Sequence, residues 1–436
     1  MTIRTRIPPS PTGRFHIGTA RTALFNYLFA RKNGGEFLFR IEDTDRARSL
    51  PEHEAEIIEG MRWLGLEHDG EIIRQSERAA RHAELLQKLV REDKAYVSKE
   101  ASAKEEGKEV EVVRLRNPGK SITFRDEIRG NITFDTTELS DFVIGRAIDD
   151  PLYHFAVVVD DSDMQITHVI RGEDHIPNTP RQILIQEALG IERPVYAHLP
   201  LILAPDRSKL SKRHGAVSLF EYREQGFLPE AIINYLALLG WNPGDDREDF
   251  TLAELVDLFE FSNVQKAGAV FDMVKFKDVN QRWLRKLSDE DFIERGNLTA
   301  SDPEKLKKAV PLLKERAHTF GDARIMLEGE LGCLFATPQI DRALLVNKEP
   351  AEAPGATKGH LEALKARIEA LEEGIEAEAV KAALMPYADE NGRGAVLWPL
   401  RYALSGAEKS PDPFTLVSIL GPAESVLRIT TALAIL

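Results

Sequence analysis

Three short stretches of the chain carry the residue types that chemistry needs. The first is Pro9-Ser10-Pro11-Thr12-Gly13-Arg14-Phe15-His16-Ile17-Gly18-Thr19, which joins a short predicted strand, Ile3–Ile7, to a helical pattern that starts at Gly18. A loop that delivers a glycine and a histidine to the first turn of a helix suits a phosphate, because unpaired amides and the positive helix end favour anions. Gly18 would let the backbone approach a ligand closely, and His16 can donate to a phosphate oxygen. Taken alone the tripeptide His-Ile-Gly is short, and a proline-stiffened turn with a satisfied histidine would read the same. The second stretch is Asp206-Arg207-Ser208-Lys209-Leu210-Ser211-Lys212-Arg213-His214-Gly215. Alternating lysine and serine before a glycine suits a phosphate-clamping lid whose ammonium groups neutralise charge developing as pyrophosphate leaves. A solvated loop face has the same composition. The third is Arg40-Ile41-Glu42-Asp43-Thr44-Asp45-Arg46, at the end of a predicted strand over Glu36–Ile41. Its carboxylates could hold a metal or move a proton, and its two arginines make plain salt bridging an equal reading. Glu42 alone shares a strand face with Arg40, which singles it out as a ligand contact. Val169-Ile170-Arg171-Gly172-Glu173-Asp174-His175 has the same strand-end position, and a metal on Glu173, Asp174 and His175 is disfavoured because adjacent side chains diverge.

The elements that must position these residues follow from periodicity and punctuation. Ala20, Ala23, Leu24, Tyr27 and Leu28 fall on one helical face that Gly34-Gly35 closes. Strand, glycine-containing loop, helix and strand in that order predict a parallel α/β sheet, with amphipathic helices over Glu52–Leu66 and Ser76–Val90. Between about 94 and 152 the texture changes. Lys99–Glu111 is a polar Lys/Glu-rich stretch that reads as solvated, and Ser121–Phe124 and Asn131–Phe134 read as short strands of a small α+β insertion. The α/β pattern then resumes with Phe155–Val159 and Ile166–Ile170, followed by a helix entered through Asn178-Thr179-Pro180. From about 215 onward the chain reads as mostly helical, with capping boxes at Thr251/Glu254 and at Ser301/Glu304.

Composition bounds the class. The chain has 436 residues, a net charge of −14 and one cysteine, Cys333. It is long enough for about two to four domains. A single cysteine excludes a disulfide framework and a cysteine-based zinc site. No run of about 18 apolar residues suggests a membrane span, so a cytoplasmic protein in a reducing compartment is expected. The acid excess argues at first sight against a polyanionic partner. Residues 1–50, however, carry +5 against −11 for residues 51–200, and Arg207, Lys209, Lys212, Arg213 and His214 crowd together. Solvated loop faces and two separated stretches converging on one anionic ligand both fit this distribution.

Together, in this order, the motifs resemble class I aminoacyl-tRNA synthetases of the bacterial glutamyl type. FHIGT resembles the family's HIGH element, with Thr19 in place of its last histidine, and KLSKR resembles its lysine-rich KMSKS loop. RIPPSPTG, GGEFLFRIEDTDRARS, HFAVVVDD, THVIRGEDH and NTPRQILIQEALG are similar to the same family, and RGAVLWPLRYALSG resembles its helical anticodon-binding region. Pro8 stands where an alanine is usual. The insertion is short and lacks the cysteine zinc knot of some relatives.

The resemblance implies a Rossmann-like catalytic domain over 1–93 and 153–200, an acceptor-end-binding insertion over 94–152, a stem-contact region over 201–290 and a helical anticodon-binding region over 291–436. It implies that glutamate and ATP form glutamyl-adenylate and pyrophosphate, and that the terminal adenosine of tRNA(Glu), or also of tRNA(Gln), then takes the glutamate. It assigns catalysis to His16, Lys209 and Lys212. ATP contacts fall to Thr12, His16, Gly18, Thr19, Lys209, Ser211 and Lys212, and glutamate contacts to Arg6, Ser10, Glu42, Tyr153 and Arg171. Arg6 and Arg171 would take carboxylates and Glu42 the ammonium group. Mg²⁺ would travel with ATP rather than in a protein cage, zinc is not expected, and a monomer with no membrane partner is. Glutaminyl-tRNA synthetase is the nearest rival, but its anticodon module is usually a β-barrel. A non-catalytic tRNA-binding paralogue would be expected to have lost His16, Lys212 or the arginine pair.

Overall fold

The computed structural model describes residues 2–101, 109–210 and 218–436. They form two compact units, residues 1–279 and 280–436.

The first unit is built on a parallel sheet. β1 (Arg4–Ile7) leads through the proline-rich segment into α1 (Ile17–Lys32) and β2 (Glu36–Ile41), and β1 and β2 pair in parallel with Arg4 opposite Glu36. The return is tight because Gly35 packs backbone against backbone: a Cβ there would lie 2.3 Å from the Ile3 carbonyl oxygen. After α2 (Pro51–Trp63), β3 (Ile73–Arg74) joins the outer edge of β2, and α3 (Ala79–Arg91) follows.

Six strands come next: β4 (Ala95–Ala101), β5 (Glu109–Leu115), β6 (Ser121–Asp126), β7 (Gly130–Asp135), β8 (Phe142–Ala147) and β9 (Asp150–Pro151). Among the described residues this stretch is all strand, so the expected small α+β insertion has no helical part there. Of the polar stretch Lys99–Glu111, residues 102–108 lie outside the described residues; at its two ends Lys99 pairs with Glu111 and Ala101 with Glu109 in the antiparallel β4–β5 ladder, with mostly exposed side chains.

α4 (Tyr153–Asp163), β10 (His168–Gly172), α5 (Thr179–Leu189) and β11 (Val195–Leu199) complete the sheet. β10 and β11 pair in parallel, and Thr167 beside β10 donates its amide to the Arg4 carbonyl at 3.0 Å, which sets β10 next to β1. The order β3-β2-β1-β10-β11 places the change of direction between β1 and β10, where open α/β sheets bind ligands beyond their carboxyl ends. The hairpin β6–β7 docks on β11, with Asp126 opposite Tyr196. Part of the stretch 94–152 thus extends the sheet of β10 and β11.

Phe155–Val159, expected as a strand, is helix. A short apolar run has no period that separates a buried strand from a buried helix. Here every residue from Phe155 to Asp161 is buried, with Phe155, Val158 and Val159 packed against Leu86, Leu89 and Ile183. Burying each such side chain is worth about 1.5–3 kcal/mol, and the helix is covered around its whole circumference over these residues.

The unit closes with β12 (Ile202–Leu203), α6 (Leu219–Gln225), α7 (Pro229–Leu238), α8 (Leu252–Leu258) and β13 (Ala269–Val270), and then α9 (Met273–Lys286) begins. The Thr251/Glu254 capping box forms as its spacing predicts. The second unit is helical: α10 (Asp289–Gly296), α11 (Pro303–Arg316), α12 (Phe320–Glu328), α13 (Arg342–Leu345), α14 (Ala356–Glu369), α15 (Ala377–Asn391), α16 (Arg393–Ser405), α17 (Pro413–Leu420) and α18 (Pro422–Leu433). The cap of α11 is Asp302 rather than Ser301, because the Asp302 carboxylate reaches the amides of Glu304 and Lys305. No single helix among the described residues is long and apolar enough to cross a membrane.

Candidate active site

His16 is the N-cap of α1. Its Nδ1 accepts from the amides of Gly18 at 3.1 Å and Thr19 at 3.3 Å, and its Nε2 faces the Thr19 hydroxyl at 3.1 Å. Two amide donors on Nδ1 fix the neutral tautomer with the proton on Nε2. Burial and the nearby Lys209 charge lower the imidazole pKa, which keeps that form. Gly18 makes the arrangement fit, since a Cβ at that position would lie 3.0 Å from the ring. The loop therefore uses its first helical amides internally, and Nε2–H is directed at the Thr19 hydroxyl. The sequence reading, in which those amides themselves seat a phosphate, differs from this geometry because the ring folds back over them.

Lys209 reaches the same region. Its Nζ lies 2.9 Å from Asp174 Oδ2, and both charges act on His16. Burial raises the Asp174 carboxyl pKa, but the Lys209 hydrogen bond and charge bring it below its ordinary value. Lys209 is presented by a tight turn in which Ala204 accepts from the Arg207 amide and donates to the Ser208 carbonyl. Arg207 has a φ of 64°, which a side chain adopts at some cost. Ser211 and Lys212 lie outside the described residues. Ser10 and Thr12 are exposed on the segment between β1 and α1.

Deeper in the sheet, four charges from three elements form one network. Arg6 on β1 donates to Asp161 of α4 through Nε at 3.1 Å, and Arg40 on β2 donates to Asp161 at 2.5 Å and to Glu42 at 2.9 Å. All four are buried, and two cations against two carboxylates balance. Burial pushes the Glu42 carboxyl above its usual range despite Arg40, whereas the two arginines outweigh burial at Asp161 and hold it below. Arg6 Nη1 is buried with no partner among the described residues. Asp43 caps Ser76 and Asp45 pairs with Arg48, so the acidic turn serves structure.

Arg171 on β10 stands apart from that balance. It is buried and bonds only neutral groups: His198 Nε2 at 3.2 Å, Gln182 Oε1 at 2.7 Å and Thr179 Oγ1 at 2.8 Å. Burial lowers its pKa, and among the described residues no carboxylate pairs with it. The Tyr153 phenol feels Glu42, Arg171 and Arg6 together, with burial the larger cause of its raised pKa. His175, which meets that phenol at 3.4 Å, is held neutral by burial and by Arg171, with a pKa of about 4. Arg6, Glu42, Tyr153 and Arg171 thus lie close enough to act on one another's charge. Glu173, Asp174 and His175 bind different partners, and no group of three metal-ligating side chains occurs among the described residues.

Sequence reasoning missed Asp161, Asp126 and His198, and weighed Asp174 only as a metal ligand. One signal was present: a histidine inside the apolar strand Val195–Leu199, and an Asp-Asp pair closing an apolar run, are buried polar groups that require partners.

The family model described as tRNA synthetases class I (E and Q), catalytic domain, matches residues 2–106 and 97–278, and the one described as anticodon binding domain matches 270–433. The chain belongs to this glutamyl and glutaminyl family of class I tRNA synthetases. It is 43% identical over 441 residues to glutamate–tRNA ligase 1 of Rubrobacter xylanophilus, covering 99% of this chain and 97% of that one. It is 39% identical over 467 residues to the glutamate–tRNA ligase of Oleidesulfovibrio alaskensis, covering 99% of each. The crystal structure of a glutamate tRNA ligase from Elizabethkingia meningosepticum in complex with its amino acid matches with a TM-score of 0.87 and 32% identity, covering 100% of this chain and 99% of that one.

Proposed function

We propose that the chain is a glutamate–tRNA ligase that activates glutamate with ATP and transfers it to the terminal adenosine of tRNA. The observation that carries this reading is the buried Arg171 cation, which pairs with no carboxylate among the described residues and feels the charge of Arg6, whose Nη1 has no partner among them. A dicarboxylic amino acid supplies what the pocket lacks. Arg171 and Arg6 take carboxylate groups, Glu42 takes the ammonium group, and Tyr153 with Ser10 completes the contacts. A neutral side-chain amide would leave Arg171 buried and uncompensated, so glutamine should be disfavoured by roughly 10²–10³-fold.

The substrate carboxylate attacks the α-phosphorus of ATP, and pyrophosphate leaves. His16 Nε2–H and Lys209 offer donors for the charge that builds on the phosphate oxygens, a contribution worth several kcal/mol in favourable sites. Thr12, Gly18 and Thr19 line the nucleotide side, and the family motif adds Ser211 and Lys212. Mg²⁺ enters as the counterion of ATP. The ribose hydroxyl of the tRNA then attacks the glutamyl carbonyl and AMP leaves, without a covalent enzyme intermediate. Residues 94–152 would receive the acceptor end, 201–290 the stem and 291–436 the anticodon of tRNA(Glu), and also of tRNA(Gln) if charging is non-discriminating. The enzyme acts as a cytoplasmic monomer.

ATP–pyrophosphate exchange with glutamate, run with and without tRNA, tests this. Exchange that requires glutamate and tRNA is expected. No exchange even with cognate tRNA would overturn the enzyme reading, and a preference for glutamine would move it to the glutaminyl rival.

A further inference from the structure

We propose that His198 and Asp126 form a positioning pair that holds the Arg171 guanidinium ready for the substrate carboxylate. The inference rests on the reading of Arg171 as a glutamate contact.

The geometry is a chain of three buried groups from three strands. Asp126, the last residue of β6, is 1% exposed and His198 of β11 is 0% exposed. Asp126 Oδ1 accepts from the amides of Ile128 at 3.0 Å and Arg129 at 2.8 Å. Its Oδ2 accepts from the His198 amide at 3.0 Å and faces the His198 Nδ1 at 2.6 Å. A carboxylate with both oxygens taken by amide donors is acceptor-only, so the imidazole must carry its proton on Nδ1. Its Nε2 lone pair then points at Arg171 Nε, 3.2 Å away. Thr179 and Gln182 hold the other two nitrogens, and the guanidinium lies over the Tyr196 ring at 5.9 Å.

The choice of a histidine between Asp126 and Arg171 has a physical reason. A carboxylate bonded directly to Arg171 would orient it but also neutralise it, and the substrate would have to compete. A neutral imidazole orients the fork and leaves its charge free, while the anion that fixes the tautomer sits one ring further away. Partners of this kind fix the orientation of a functional side chain, and their loss typically costs 10–100-fold at metal sites. The pair also explains why the hairpin β6–β7 is docked on β11: it carries Asp126 to the floor of the pocket.

Asp126→Asn tests the pair in the full-length enzyme. An amide there must direct an N–H at Nδ1 or at a backbone N–H. With the first arrangement the imidazole proton moves to Nε2 and meets the Arg171 Nε–H. The expected result is a KM for glutamate raised about 10–100-fold, with KM for ATP and for tRNA within about twofold of wild type. The ¹⁵N shifts of His198 in histidine-labelled enzyme should report Nδ1–H in the wild type and Nε2–H in the variant. Two variants at His198 serve if Asp126→Asn does not fold. His198→Gln keeps an acceptor and should retain a KM for glutamate within about threefold, whereas His198→Leu should show the full loss. An unchanged KM for glutamate in a folded Asp126→Asn or His198→Leu enzyme would overturn the pair, as would Nε2–H in the wild type. Arg171→Ala separates the two claims. If it leaves KM for glutamate unchanged, the reading of Arg171 itself fails. If it raises KM while the other variants do not, only the positioning pair fails.

Discussion

Glu42 has two demands placed on it that pull in opposite directions. To bind an ammonium group it must be ionised, yet burial raises its pKa above the usual carboxylate range and Arg40 only partly offsets this. Because the folded pKa is raised, the carboxyl protonates at a higher pH than a free glutamate as the solution is acidified. Protonation removes the anion that the substrate amine needs. KM for glutamate should therefore climb as pH falls through that pKa, and Glu42→Gln should show a high KM with this limb of the profile abolished. Steady-state kinetics between about pH 5 and 8 checks it, and a variant that keeps the wild-type acid limb would show that another group titrates. At this scale much was legible from the chain: Arg6, Glu42 and Arg171 each sit near the end of a recognisable strand. Asp126 was not, because it meets His198 from 72 positions away and across a hairpin whose docking has no local signature.

At the scale of elements, Asp161 pins α4 to two strands. It accepts from Arg6 on β1 and Arg40 on β2, so its loss leaves two buried cations short of a partner. Breaking a buried ion pair by removing one member costs about 3–5 kcal/mol, and Asp161→Asn should destabilise the catalytic unit by that order in urea unfolding. The pH dependence has a definite sign. The Asp161 pKa is depressed in the folded state, so its stabilisation is fully present above the ordinary aspartate value of about 3.9 and is lost as pH falls through the folded pKa. The gap between wild type and Asp161→Asn should thus close in strong acid. A gap independent of pH would mean that packing, not charge, anchors α4. The same element marks where periodicity failed. Phe155–Val159 is apolar without interruption, and only its packing against α3 and α5 makes it helix. Elements with a polar face or a cap, such as α1 and α8, were readable because the signal was local.

For the whole molecule, a net charge of −14 first argues against a nucleic acid, but net charge sums over every face while a ligand meets only a few. The buried charge network shows the separation: among the described residues Arg6 and Arg40 balance Asp161 and Glu42, leaving Arg171 as the excess cation. Glutamate should therefore bind through a desolvated site that salt barely screens, because Debye screening acts mainly on exposed charges. tRNA must instead bind through exposed lysines and arginines, and each phosphate they neutralise releases counterions. Four or five such contacts would lower tRNA affinity roughly 100-fold between 50 and 200 mM salt. KM for glutamate, measured at saturating tRNA over the same range, should change by less than about twofold. Filter binding of tRNA and aminoacylation kinetics along one salt series distinguish the two. If KM for glutamate rose as steeply as tRNA affinity fell, the glutamate pocket would be solvent-screened and Arg171 would not be the buried cation on which its specificity depends.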